Sequence, residues 1–182
     1  MAIEFTSLPK NLPNGDNMGG ITQKVYFGYW DDVDTWPAKP ENPTTLEAAA
    51  ALTGDLVMKA GKAMFEMYLT DDTGAFNIEV VGEKDGKSFV QHLILFHPGL
   101  EAKLLGFVNA AKNENLVFIV EDNNGQFYLM GDASRPATLE ASDSAGTGQA
   151  TADRRGIGME FTYKTKGNYV YSGSIPLSGA SS

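Results

Sequence analysis

Along the chain, apolar residues alternate with polar ones over short stretches, and clusters of Asp, Asn and Gly separate the stretches. In 63–70, Phe65, Met67 and Leu69 share one side, with Met64, Glu66 and Tyr68 on the other. In 75–81, Phe76, Ile78 and Val80 face one way and Asn77 and Glu79 the other. Period-two patterns of this kind predict half-buried strands. The stretch 88–96 is apolar on both sides apart from Gln91 and His92, which predicts a strand covered on both faces. Further strands are expected at 116–121, 126–130, 156–166 and 169–175. Between them, Asp71-Asp72-Thr73-Gly74, Glu83-Lys84-Asp85-Gly86-Lys87, Glu121-Asp122-Asn123-Asn124-Gly125 and Lys166-Gly167-Asn168 carry the residues that adopt positive φ in tight hairpins. The acidic turns lack the spaced ligands and closing Glu of an EF-hand, so they read as hairpin turns and not as calcium loops.

One stretch breaks the alternation. In 100–112, Leu100, Leu104, Phe107, Val108 and Ala111 share a helical face, with Lys103, Asn109 and Lys112 opposite or beside it. Lys112 suits the negative end of a helix and Asn113 suits its stop. A shorter helix is expected within 42–52, with Asn42 as its cap and Pro43 in its first turn. The expected fold is mainly β: an antiparallel sandwich or barrel with one flanking helix. Its predicted parts are an N-terminal arm (1–20), a single β-rich domain (21–176) containing a long loop (31–62), and a flexible tail (177–182). Residues 141–155 look too small and polar to pack.

Composition narrows the chemistry. The 182 residues include 23 acidic and 14 basic side chains, a formal charge of −9. This argues against a protein that grips nucleic acid, which needs a basic face. The N-terminus has neither the basic nor the apolar region of a secretory signal, and no apolar run is long enough to span a membrane. With no cysteine, disulfides, thiolate nucleophiles and cysteine-ligated metals are excluded. The two histidines, His92 and His97, share neither a helix face nor a strand face, and read as a strand and a loop residue. No nucleophile elbow or phosphate loop occurs, and Gly146-Thr147-Gly148 lacks the third glycine of a dinucleotide site. The adjacent acids Asp31-Asp32, Asp71-Asp72 and Glu121-Asp122 would point apart on a strand or into water in a turn. The expectation is no enzyme, no cofactor and no metal.

Several stretches together resemble tail tube (major tail) proteins of long-tailed phages, in particular virion proteins of Bacteroidetes phages. They are Asn17-Met18-Gly19-Gly20-Ile21 with Val25-Tyr26-Phe27, Gly82-Glu83-Lys84-Asp85-Gly86-Lys87-Ser88-Phe89, and Phe96-His97-Pro98-Gly99 leading into the helix. Later come Gly146-Thr147-Gly148, Asp153-Arg154-Arg155-Gly156 and Tyr171-Ser172-Gly173-Ser174-Ile175. The resemblance implies a β-sandwich subunit forming hexameric rings that stack into a tube in the virion tail. It implies synthesis in the bacterial host cytoplasm, contacts with copies of itself and with other tail and neck proteins, and DNA passing through the lumen without specific binding. A head decoration or neck protein is an alternative on the same virion. A carbohydrate-binding β-sandwich, with Trp30 and Trp36 as platforms, is an alternative from another class.

Expected inter-subunit contacts follow from apolar residues on segments that do not stabilise themselves. In the arm these are Ile3, Phe5 and Leu8; in the long loop and at its start, Trp30, Trp36, Leu46 and Leu52, with Leu56 beside them. Arg154 and Arg155 complete the set. Both segments are expected to lie loosely or against water in a lone subunit and to order between subunits.

Overall fold

A computed structural model describes residues 3–10, 17–140 and 145–177, and in these the chain forms twelve strands. The expected tail at 178–182, and parts of the arm and of 141–155, lie outside those residues. The order is β1 (Ile21–Tyr29), β2 (Val33–Thr35), α1 (Leu46–Ala49), β3 (Val57–Met58), β4 (Phe65–Tyr68), β5 (Ala75–Val81) and β6 (Ser88–Pro98). There follow α2 (Ala102–Ala111), β7 (Leu116–Asp122), β8 (Phe127–Met130), β9 (Thr138–Glu140), β10 (Ala145–Gly146), β11 (Gly156–Thr165) and β12 (Val170–Tyr171).

Two five-stranded sheets carry the fold. The first has the order β12-β8-β7-β1-β4; the second runs β10-β11-β6-β5, with β9 also paired to β11. Every pairing between named strands is antiparallel. The sheets face each other through one core, where Val25, Phe118, Val120 and Met130 meet Leu93, Leu95, Met159 and Phe161. The Phe118 and Phe161 rings are 4.5 Å apart at its centre. Helix α2 adds Leu104 and Ala111, and sets Phe107 edge-on to Phe27 at 5.0 Å. This is the flanking helix expected at 100–112, beginning two residues later.

The turns use the expected chemistry with a twist in its placement. Asp72 (φ 54°) and Asp85 (φ 69°) themselves take the left-handed conformation, as does Gly125 (φ 80°). Short polar side chains tolerate that region better than most.

Three expectations about single elements are corrected. The strand covered on both faces is β7, whose Leu116, Val117, Phe118, Ile119 and Val120 are all buried, and not β6, whose outer face leaves Ile94 39% exposed. The short helix is four residues long and capped by Thr45, whose hydroxyl accepts from the Ala48 N–H at 3.2 Å. Asn42 instead sits at φ 51°, outside it. His97 lies in β6, not in a loop.

The second face of β7 is covered by the long connection. Leu52, Leu56 and Met58 join Val33, Met64 and Tyr171 over Tyr26, Val117, Ile119 and Leu129 in a second buried cluster. Burial of such side chains contributes about 1.5–3 kcal/mol each. The expectation that Leu52 and Leu56 lie against water in a lone chain is therefore overturned: they are 6% and 1% exposed.

Candidate assembly surfaces

The residues expected at subunit contacts fall into three environments. The first is the arm. Residues 3–10 form no helix or strand. Among the described residues, their backbone link to the rest is one bond, from the Glu4 N–H to the Thr44 carbonyl at 3.1 Å. Ile3 is half-buried, but Phe5 and Leu8 are each 85% exposed.

The second environment is the folded connection. Trp30 opens a single 3-10 turn (Trp30–Asp32) after β1 and is half-buried, as is Trp36. Their ring centroids are 6.3 Å apart. The Trp30 Nε1–H donates to the Asp132 carbonyl at 2.6 Å, and Trp36 packs against the second cluster and over Gly131. Neither indole stands clear as a platform. Leu46 is half-buried at the start of α1, and Leu52 is buried within the chain, its N–H bonded to the Val170 carbonyl at 3.0 Å.

The third is the turn before β11. Arg154 and Arg155 are exposed. The turn is held by Asp153, which accepts from the Gln149 and Ala150 N–H groups at 2.8 Å each. Those bonds, Ala150 first, hold the Asp153 carboxyl below its ordinary range. The structure does not bring the three environments together into one cluster.

Asp132 organises the seam between connection and sandwich. It accepts from the Ser134 and Arg135 N–H groups at 2.7 and 2.8 Å and from the Tyr163 hydroxyl at 2.7 Å, and Lys39 pairs with it. Burial opposes its ionisation, but the bonds from Lys39, Tyr163 and Ser134 outweigh that, and its carboxyl sits below the usual range. Burial pushes the Tyr163 phenol upward, and the neighbouring carboxylate adds to this. A groove of about 680 Å³ beside this network is lined by Lys39, Arg135, Lys164 and Lys166, gathering cations in an acidic chain.

Two features were missed by sequence reasoning. His92, on the outer face of the second sheet, lies between Glu160 on β11 (2.7 Å from Nδ1) and Glu79 on β5 (3.2 Å from Nε2). The i, i+2 spacing could place each residue on a face, but only register brings the three together. Strand β5 is the other feature. Phe76, expected on a core face with Ile78 and Val80, stacks on Tyr128 at 4.7 Å, while Ile78 and Val80 are 45% and 57% exposed. Alternation assigns the face and says nothing about how far the opposite sheet reaches.

No group of three or more His, Asp or Glu side chains among the described residues is placed to hold a metal ion, and no helix there is long and apolar enough to cross a membrane. No family model, curated protein or solved structure matches the chain.

Proposed function

We propose that the chain is a structural virion protein, a tail tube subunit whose copies form stacked rings, hexameric as the resemblance implies, around a channel for DNA. One observation carries the reading: Phe5 and Leu8, each 85% exposed, sit in residues 3–10, which have one backbone tie to the domain among the described residues. A self-sufficient domain gains nothing from holding two large apolar side chains in water, whereas a neighbouring copy that covers them recovers their burial energy. The mainly-β sandwich with one covering helix supports the reading, because it is the architecture that the resemblance implies. The charge of −9 is compatible with a passage that does not hold phosphate. On this reading the partners are further copies, other tail and neck proteins, and DNA in transit, and the place of action is the virion tail. Negative-stain microscopy of the purified chain tests it. Rings or tubes are expected, and their loss when residues 2–10 are deleted. A protein that stays monomeric at every concentration overturns the reading.

A further inference from the structure

Strand β5 hydrogen-bonds to β6 along one edge and to no named strand along the other, among the described residues. Natural sheets blunt such edges with lysine, proline, a bulge or a covering segment. This edge has no lysine and no proline. It runs Ala-Phe-Asn-Ile-Glu-Val-Val, in unbroken register with β6 from Ala75 opposite Ile94 to Val81 opposite Ser88. Its single charge, Glu79, lies on the outer face against His92. On the other face Ile78 and Val80 stand half exposed.

We infer that this edge pairs with β5 of a second copy, antiparallel about a two-fold axis at Ile78, joining two chains into one continuous sheet. The strand's own pattern selects both the occupant and the register. Centred on Ile78, each Phe76 meets Val80 of the other copy, each Asn77 meets Glu79, and Ile78 meets itself. Phe76, Ile78 and Val80 of both copies then share one face, and no like charges stand directly opposite, the condition for favourable cross-strand pairs. Centring on Glu79 would set two carboxylates face to face. Centring on Asn77 would leave Val80 opposite Gly74. A half-step would put Glu79 opposite Ile78 and mix the faces. Glu79 is also held against its own chain, where His92 Nε2 lies 3.2 Å from its carboxylate on the outer face.

The pairing goes beyond the tube reading and does not rest on it, since a two-fold contact closes on itself whereas rings and tubes propagate. The absence of cysteine makes the register directly testable. Ile78→Cys sets one thiol on the axis opposite its own copy, where antiparallel neighbours lie about 4.5–5.5 Å apart between Cα atoms, within disulfide reach. Val80→Cys sets its thiol opposite Phe76. Under mild oxidation Ile78→Cys should run as a covalent dimer on a non-reducing gel, and Val80→Cys should remain monomeric. Equal crosslinking of the two, or none at position 78 in a folded protein, overturns the inference. Should the substitution disturb folding, the unaltered chain gives the second measurement: hydrogen exchange of the amides in 76–80 should slow as protein concentration rises. Exchange independent of concentration overturns the pairing. Tubes without either signal would also overturn it and leave the tube reading standing; crosslinked pairs without tubes would do the reverse.

Discussion

Residues 33–62 and residues 3–10 are both proline-bearing chain with large apolar side chains set among polar ones, yet the first closes a face of a sheet while the second leaves Phe5 and Leu8 in water. The difference lies in the backbone. In the connection, Ala38 and Thr53 exchange two bonds at 2.8 and 3.0 Å, and the Val170 N–H donates to Ala50 at 2.7 Å. The Lys59 N–H donates to Asp32 at 2.8 Å, and the Leu56 N–H to the Tyr171 hydroxyl at 2.9 Å. Apolar side chains go inside only where the polar backbone that carries them also finds partners. Residues 3–10 have one such partner among the described residues, and Phe5 and Leu8 stay outside.

The sharpest way to break this comparison is to remove the connection. Replacing 38–54 by a short Gly/Ser linker deletes Leu52 and the strand-like pairs around it, and should abolish cooperative unfolding followed by circular dichroism. A linker variant that melts like the intact chain would make the segment an ordinary loop after all. Next in size is Leu56→Ala, at a side chain 1% exposed; truncation there should cost about 2–5 kcal/mol in urea unfolding.

Asp132→Asn tests the seam between the connection and the sandwich. It removes the anionic partner of Lys39 and Tyr163 and should cost about 1–3 kcal/mol at neutral pH. Because the folded carboxyl lies below its ordinary range, its contribution is complete above the unfolded pKa of about 3.9 and is lost as pH falls through the folded value. The gap in stability between the intact chain and the variant should therefore close under acid, and a gap constant with pH would assign the loss to packing. The smallest effect belongs to the arm. Phe5→Ala with Leu8→Ala should change unfolding by no more than about 0.5 kcal/mol, yet leave no rings or tubes in the microscope.

The parts of this fold legible in the sequence are those decided locally. Strand β5 and helix α2 fall within two residues of their expected bounds, because a period of two or 3.6 is a property of the stretch itself. What was not legible is which apolar face meets which neighbour. Leu52 and Leu56 look like loop residues until β12, more than a hundred positions away, supplies Val170 and Tyr171 to hold them. Ile78 and Val80 look like core residues until the first sheet stops short of them. Strands β2 and β3, and the pairing of β10 with β11, are too short to leave a periodic trace. Of the candidate contacts, Phe5 and Leu8 are exposed, while Leu52 belongs to the chain's own interior.

The Tyr171 phenol is a clasp across time as well as space. Its oxygen accepts from the Leu56 N–H at 2.9 Å and donates to the Ser174 carbonyl at 2.6 Å, while the Ser174 N–H reaches Asp55 at 2.7 Å. These contacts span sequence separations of 115 and 119 residues where they join the connection to the last strand. Contacts so distant carry the largest loop-closure entropy and form late. During synthesis the second cluster cannot shut until residues 170–177 have left the ribosome, so the nascent chain keeps one face of β7 open from the emergence of that strand until then. That interval, and not the finished fold, is when the chain is most exposed to aggregation and most dependent on chaperones.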